Sequence, residues 1–342
     1  MDPAMDPAVV LPTLVDLLGN ATAYRIPLTT TFRSLDVRRG VLLQGPSGWG
    51  EFAPFDNYSV RADARWLQSA IEASHGQWPA PLRHRVEVNA IVPAVGAEDA
   101  QRLVRESGCS AAKVKVAGAG STLADDLARV AAVREALGPS GGLRIDVNGS
   151  WSVSQAEQAI RQLAQCDLEY VEQPCASLSE LTELRARVDV PIAVDESLRT
   201  SANPLKIAGL AEAADVIIVK SAPLGGVLAA SRIASEYGLP VVVSSALETS
   251  IGLSAGLALA ASLPELRYSC GLGTGRLLSA DVVREPLIPV NGSLTLSRSV
   301  VDAEKLANVR ADDELPQWSA RIDAAYQLLH ANYEQSGEGV RL

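Results

Sequence analysis

Residues 111–120 read AAKVKVAGAG, which places Lys113 and Lys115 two apart in a run of Ala and Val. In a strand, positions i and i+2 share a face. Two ammonium groups ~4 Å apart repel by roughly 4 kcal/mol at an effective dielectric near 20, so the pair requires anions nearby or a use for the repulsion. Further along, Asp146 and Asn148 end the run LRIDVN, and Glu172 ends LEYVE just before Gln173-Pro174. Asp195, with Glu196 beside it, ends PIAVDE, and Lys220 ends DVIIVK. Five successive apolar runs therefore finish on ionisable side chains. Asp146, Glu172 and Asp195 crowded at one point would be driven partly neutral without a counter-ion. An all-oxygen donor set without His or Cys suits a hard divalent cation, Mg²⁺ or else Mn²⁺, that keeps positions for water or substrate. The bland alternative is a solvated rim of salt-bridging charges, which has no need of three acids in register. Beside a cation, partly buried and next to another ammonium, a lysine loses proton affinity. Tuned towards ~7–8, it becomes a general base at neutral pH. Lys115, nearer the strand end, is the expected proton-transfer group and Lys113 its tuner. Lys220 is expected on the far side of the cation, with Asn148 and Glu196 supporting the site from behind.

Such residues need a scaffold that brings successive strand ends to one face. The runs at 86–93, 111–116, 143–148, 168–174, 191–197, 215–220, 240–246 and 268–274 read as strands. Helical, Ala/Leu-rich segments lie between them; 122–138 stops at Gly138-Pro139, while 152–165 and 177–188 each open on a Ser suited to capping. The βα alternation predicts a parallel sheet. Asp146 to Glu172 is 26 residues, Glu172 to Asp195 is 23 and Asp195 to Lys220 is 25. A (β/α)₈ barrel devotes roughly 30 to each unit and builds its active site at the C-terminal mouth, so a compact α/β barrel is the expected fold. An open doubly wound sheet shares the rhythm, but no Gly-rich fingerprint follows a first strand. Residues 1–85 differ, reading as strand hairpins followed by a helix over VRADARWLQSAIEASHG. After about 285, LIPVNGSLTLS reads as a hairpin on an Asn-Gly turn, and an amphipathic helix follows.

Net charge is −10, from 30 basic and 40 acidic residues, and no basic stripe appears, so nucleic acid and anionic membrane surfaces are poor partners. The apolar segment LSAGLALAASLPEL is too short to span a bilayer. MDPAMDPAVV lacks the pattern of a signal peptide, its repeated MDPA reading as an extension or alternative start, and a cytoplasmic location is expected. Cys109, Cys166, Cys175 and Cys270 form no C-x-x-C pair and are expected reduced and buried. His75, His84 and His330 all lie outside the barrel strands, which argues against a His-based triad or zinc site. No phosphate-binding loop, nucleophile elbow or H-E-x-x-H occurs. In GLGTGR, Gly271 and Gly273 offer backbone N–H groups to a substrate carboxylate, or simply make a tight turn. Ser244 and Ser245 either bind a ligand or cap the next helix.

The set K-V-K (113–115), D-V-N (146–148), E-Q-P (172–174), D-E-S (195–197) and Lys220 resembles the enolase superfamily, in the subgroup of the muconate lactonising enzymes. The resemblance implies a modified (β/α)₇β barrel over 86–285, capped by an α+β domain made from residues 1–85 with the segment 286–342. Within the subgroup, stretches such as GPSGWGEFAPF, VEQPCASLSELTELR, KSAPLGG and CGLGTG resemble the actinobacterial o-succinylbenzoate synthase family. That implies Mg²⁺-dependent syn dehydration of a small carboxylate, 2-succinyl-6-hydroxy-2,4-cyclohexadiene-1-carboxylate, to 2-succinylbenzoate, a step of menaquinone synthesis. It also implies that Lys115 is base and then acid, that Lys220 stays protonated to stabilise the intermediate, and that Arg33 lies in a substrate-closing loop. FRSLD (32–36) departs from the family, where Gly is expected after the Arg. Racemisation of N-acylamino acids or epimerisation of dipeptides by the same two lysines is the rival reaction. A non-catalytic barrel module is the rival from another class, and it would not need all five groups.

Overall fold

A computed structural model describes residues 11–336, and the repeated MDPA lies outside the described residues. The chain opens with an antiparallel sheet of β1 (Ala21–Phe32), β2 (Leu35–Gly45) and β3 (Gly48–Phe52), in that order. Tyr24, Ile26, Val41, Leu43 and Phe52 are buried on it. They pack on the helix Val60–His75, whose Trp66, Leu67, Ala70 and Ile71 recur at helical spacing on one face. The last helix, Leu315–Ser336, adds Trp318, Ile322, Ala325 and Leu329 to the same core, with Trp318 edge-on to Phe52 at 5.9 Å. Between β1 and β2, Phe32 pairs with Leu35, and the two turn residues Arg33 and Ser34 have φ of 53° and 61°. A two-residue hairpin matches the strand twist when both turn residues are left-handed, a conformation glycine takes most cheaply.

Two short strands follow, β4 (Arg85–Glu87) and β5 (Ala90–Val92). The expected strand at 86–93 thus breaks at Asn89, whose buried side chain accepts from Arg144 Nη1 at 3.2 Å. The barrel continues through β6 (Ala111–Lys115), β7 (Gly142–Asp146), β8 (Leu168–Glu172), β9 (Ile192–Val194), β10 (Val216–Val219) and β11 (Val241–Val243). All run parallel from β5 to β11 in sequence order. Cys270 and Gly271 close the ring. Gly271 N donates to Val243 O at 2.8 Å, and Cys270 N donates to Glu87 O at 2.7 Å. A short 3₁₀ turn, Gly273–Leu277, follows in place of a full helix, giving the (β/α)₇β form. Capping boxes at Thr122, Ser152 and Ser177 start three of the outer helices, as the last two serines predicted. Tyr170, Ala193, Val216, Ile218 and Val242 fill the barrel interior below the strand ends.

The Asn291-Gly292 turn forms, with φ of 49° and 72°, but the expected hairpin is reduced to one bridge, Val290 with Ser293. Its second arm, β12 (Ser293–Thr295), pairs instead with β4, where a ladder partner was available at the barrel floor. The cap docks on the barrel through buried carboxylates at helix N-termini, where unpaired N–H groups and the helix dipole favour negative charge. Glu72 accepts from Val227 N at 2.6 Å and Leu228 N at 2.9 Å. Glu51 accepts from Thr249 N and from Gly252 N at 3.0 Å, at the start of the helix Ser250–Ser262. Within the barrel segment itself, Asp281 likewise accepts from Ser250 N and from Ser250 Oγ at 2.6 Å. Cys109, Cys175 and Cys270 are buried thiols, whereas Cys166 is only half-buried because it sits in the 3₁₀ turn before β8. Among the described residues no helix is long and apolar enough to cross a membrane.

Candidate active site

Register builds the site. Lys115 pairs with Asp146, and Asp146 with Glu172, so the three side chains form one cross-strand row on the inner face. Asp195 and Lys220 follow the ends of β9 and β10 and continue the arc. Each lysine finds a carboxylate, which resolves the repulsion between Lys113 and Lys115. Lys113 Nζ lies 2.7 Å from Glu172 Oε2 and 3.6 Å from Asp146 Oδ2. Lys115 Nζ bonds Asp146 Oδ2 and donates to Asn148 Oδ1 at 2.7 Å. Lys220 Nζ donates to Asp195 Oδ2 at 2.6 Å. Lys113, Lys220 and the three carboxylates are buried, whereas Lys115 is 13% exposed and faces the mouth.

The pKa directions separate these groups. Burial lowers the Lys115 pKa, and the Arg33 and Lys113 charges lower it further against the pull of Asp146. Lys113 moves the other way: burial opposes the ammonium, but Glu172 and Asp146 outweigh it and raise its pKa. Lys113 is therefore a fixed cation that contributes to tuning Lys115, behind burial and Arg33. Asp146 is held below the carboxylate range because Lys115 and Lys113 overcome its burial. Asp195 is held down likewise, by Arg199, Lys220 and Arg33 against burial. Glu172 is pushed up to about 7 by burial and by Asp146, despite Lys113.

Among the described residues no group of three or more His, Cys, Asp or Glu is arranged as a ready metal cage. Lys113 Nζ instead stands between Asp146 and Glu172. The donor set nevertheless fits a hard divalent cation. Three carboxylates converge from adjacent strands, and Glu172 Oε1 is buried with no hydrogen-bond partner.

Glu196 is the hub behind this cluster. Its Oε1 accepts from Asn148 Nδ2 at 3.1 Å, from Arg33 Nη2 at 3.2 Å and from Arg199 Nη2. Arg33 comes from the cap's hairpin tip and stacks over Phe55 at 5.1 Å, while Phe32 covers Lys115, its ring centroid 5.3 Å from Nζ. Sequence reasoning missed Arg199, which donates from Nε to Asp195 Oδ1 at 3.0 Å and reaches Tyr58 of the cap. Its position four residues after Asp195, one helical turn, was the available signal. Gln173 was also missed as a brace: its Oε1 accepts from Asp195 N at 3.0 Å and Ser197 N at 3.1 Å.

Ser244, Ser245 and Gly271 line the mouth, with Thr274, Lys113, Lys115 and Lys220. Neither serine caps the next helix, whose N-cap is Thr249. Ser245 Oγ instead bonds Glu248 Oε2 at 2.5 Å and Thr274 Oγ1 at 2.8 Å, and Ser244 Oγ donates to Gly271 O at 3.3 Å. The expectation that Gly271 offers its N–H to substrate is corrected, because that N–H is spent on Val243 O in closing the barrel. A Cβ at Gly271 would lie 2.4 Å from Ser244 Oγ, and one at Gly273 would lie 2.7 Å from Asn89 O. These glycines permit close strand approach.

The family descriptions "Enolase N-terminal domain-like" and "Enolase C-terminal domain-like" match residues 23–74 and 96–300. An o-succinylbenzoate synthase of Thermobifida fusca is 57% identical over 303 residues, 89% of this chain and 95% of that protein. One from Mycolicibacterium smegmatis is 49% identical, over 93% of this chain and 99% of that protein. Among solved structures, a muconate lactonizing enzyme from Pseudomonas fluorescens superposes with a TM-score of 0.71 at 22% identity, covering 85% of this chain and 98% of that one. An N-succinyl Arg/Lys racemase from Bacillus cereus gives 0.70 at 19%, covering 85% and 96%. These two likenesses speak to the fold alone. Near-full-length identity of this order, on a chain with both enolase-like parts and the carboxylate–lysine arc, means that the chain belongs to the o-succinylbenzoate synthase family of the enolase superfamily.

Proposed function

We propose that this chain dehydrates 2-succinyl-6-hydroxy-2,4-cyclohexadiene-1-carboxylate to 2-succinylbenzoate, the step that serves menaquinone synthesis. The observation that carries the reading is the row Lys115–Asp146–Glu172 with Lys220 on Asp195 beyond it, at the mouth of a parallel barrel. Asp146, Glu172 and Asp195 would hold Mg²⁺, or Mn²⁺ as the second fit, which supplies positive charge to offset that developing on the substrate carboxylate. Lys115 Nζ takes the ring proton α to that carboxylate. As the ring gains its new double bond, the C–O bond breaks, and the departing hydroxide receives the proton back from Lys115 and leaves as water. One group acting first as base and then as acid on one face gives a syn elimination. A lowered Lys115 pKa makes the free amine more accessible than in an ordinary lysine. Lys220, ion-paired with Asp195, stays an ammonium and stabilises negative charge on the opposite side. Phe32 and Arg33 exclude water above Lys115, while Ser244, Ser245 and Thr274 line the mouth around the substrate.

Racemisation of an N-succinylamino acid is the second reading, favoured by the two lysines holding separate carboxylates on either side of the cluster. Incubation with Mg²⁺ and the cyclohexadiene carboxylate, followed by ultraviolet absorbance of the aromatic product, tests the first reading. Turnover lost on EDTA treatment and in Lys115→Ala supports it. Absence of turnover in folded wild type, with deuterium exchange into both enantiomers of an N-succinylamino acid, would replace it with the second.

A further inference from the structure

The mouth cavity is small, about 20 Å³, room for roughly one water. Across Ile91, which lines both spaces, lies a second cavity of about 330 Å³, between β5, the helix Ala97–Ser107 and the turn Gly273–Leu277. Its wall is apolar along Ile91, Val95, Leu103 and Leu277, and Arg276 stands on its rim. We propose that this second cavity receives the succinyl arm of the substrate, with the Arg276 guanidinium binding the arm's terminal carboxylate. The proposal rests on the function proposed above.

The substrate carries two carboxylates, and every cation of the catalytic cluster already faces an acid of that cluster. Lys113, Lys115, Lys220, Arg33 and Arg199 each face Glu172, Asp146, Asp195 or Glu196. A second carboxylate at the far end of the arm is best met by a positive charge that no acid yet holds. Arg276 makes no ion pair among the described residues, whereas Arg102, the other arginine on the cavity, is held by Asp99 at 2.6 Å. The positive charge of Arg276 is felt across the cavity at the Cys109 thiol, where it opposes the rise caused by burial. Two methylene groups suit the apolar wall, and an acid at their end suits a guanidinium. Thr29 Oγ1 bonds the carbonyls of Arg276 and Leu277 at 3.2 and 3.3 Å, which ties this turn to the strand carrying Phe32.

Two measurements on Arg276→Gln and Arg276→Lys test the assignment. In steady-state dehydration, Arg276→Gln should raise KM about 10- to 100-fold, as expected for one lost charge-assisted contact, with a much smaller fall in kcat, and Arg276→Lys should recover part of the loss. In calorimetry, wild type should bind 2-succinylbenzoate more tightly than 2-butanoylbenzoate, which lacks the terminal acid, and Arg276→Gln should bind both alike. An active Arg276→Gln with unchanged KM and unchanged preference overturns the subsite and leaves the proposed reaction standing. If wild type fails to dehydrate the diene, the reaction falls separately. An Arg276-dependent preference for 2-succinylbenzoate would then still support the subsite, and its absence would remove both.

Discussion

Glu72 offers the most direct test of how the cap is held. It is 2% exposed, and its carboxylate takes the first two free N–H groups of the helix Val227–Glu236 at 2.6 and 2.9 Å. The N-cap there is Gly226, which has no side chain to do the same, and a Cβ on it would meet Glu72 Oε2 at 2.5 Å. Replacing Glu72 with Ala strands one buried and one half-buried donor, a buried one costing ~1–3 kcal/mol, and removes a charge near the helix dipole. We expect a loss of about 3 kcal/mol. Glu72→Gln keeps one acceptor oxygen but surrenders the charge and turns an NH₂ towards a backbone N–H, for a loss of about 1–2 kcal/mol. Urea unfolding of both variants beside wild type, followed by circular dichroism and extrapolated linearly, measures the difference. The ordering matters as much as the size. A Glu72→Ala protein within 0.5 kcal/mol of wild type, or a Gln variant as damaged as the Ala variant, would refute the helix-terminus account.

Three further expectations follow from the site. Because catalysis needs Lys115 as the free amine, kcat/KM falls as pH drops through its pKa, which burial and Arg33 place below the ordinary 10.5. Arg33→Met removes one of the cations holding it down, so the limb of the pH–rate profile moves up; an unmoved limb would exclude Arg33 from tuning the base. Mg²⁺ at 100 times its Kd should stabilise the protein by about 2.7 kcal/mol against urea, and chelation should reverse this. Glu172→Gln should lose that response, and retention of it would remove Glu172 from the donor set. At the hairpin tip, Ser34 is at φ 61°, so Ser34→Gly should be at least as stable as wild type, while Ser34→Val should lose about 1–2 kcal/mol. Equal melting temperatures for the two would show that the turn relaxes to another geometry.

What the sequence revealed was set by short-range pattern. Apolar β-branched runs ending in Lys113/Lys115, Asp146, Glu172, Asp195 and Lys220 are strand signals with chemistry at a fixed end, and parallel register then aligns them with little freedom. Ser152 and Ser177 were readable as caps because a capping box spans only four residues. Apart from Arg199, whose ion pair with Asp195 is one helical turn away, the failures involve partners far apart in the chain. Nothing local to Asn291-Gly292 says that its second arm will pair with Arg85–Glu87. Nothing near Gly271 shows that its N–H is claimed by Val243, or that Ser245 will face Thr274. Tyr58 and Arg199 stand 141 residues apart and meet only because the cap is seated. The missing glycine at position 34 was visible, but its meaning needed the positive φ that the hairpin imposes.

The cap's core is sewn from both ends of the chain, and this has a consequence for synthesis. Tyr24, Ile26, Leu43 and Trp66 leave the ribosome before the barrel strands, whereas Trp318, Ile322, Ala325 and Leu329, which complete their packing, leave after them. All the catalytic strands lie between. The barrel is therefore made while the cap's first half waits with one apolar face uncovered, and the final helix is the piece that shuts it. A chain halted after residue 300 would hold every proton-transfer and carboxylate group discussed above, yet its exposed first sheet would make it a substrate for chaperones and proteases before it met its own.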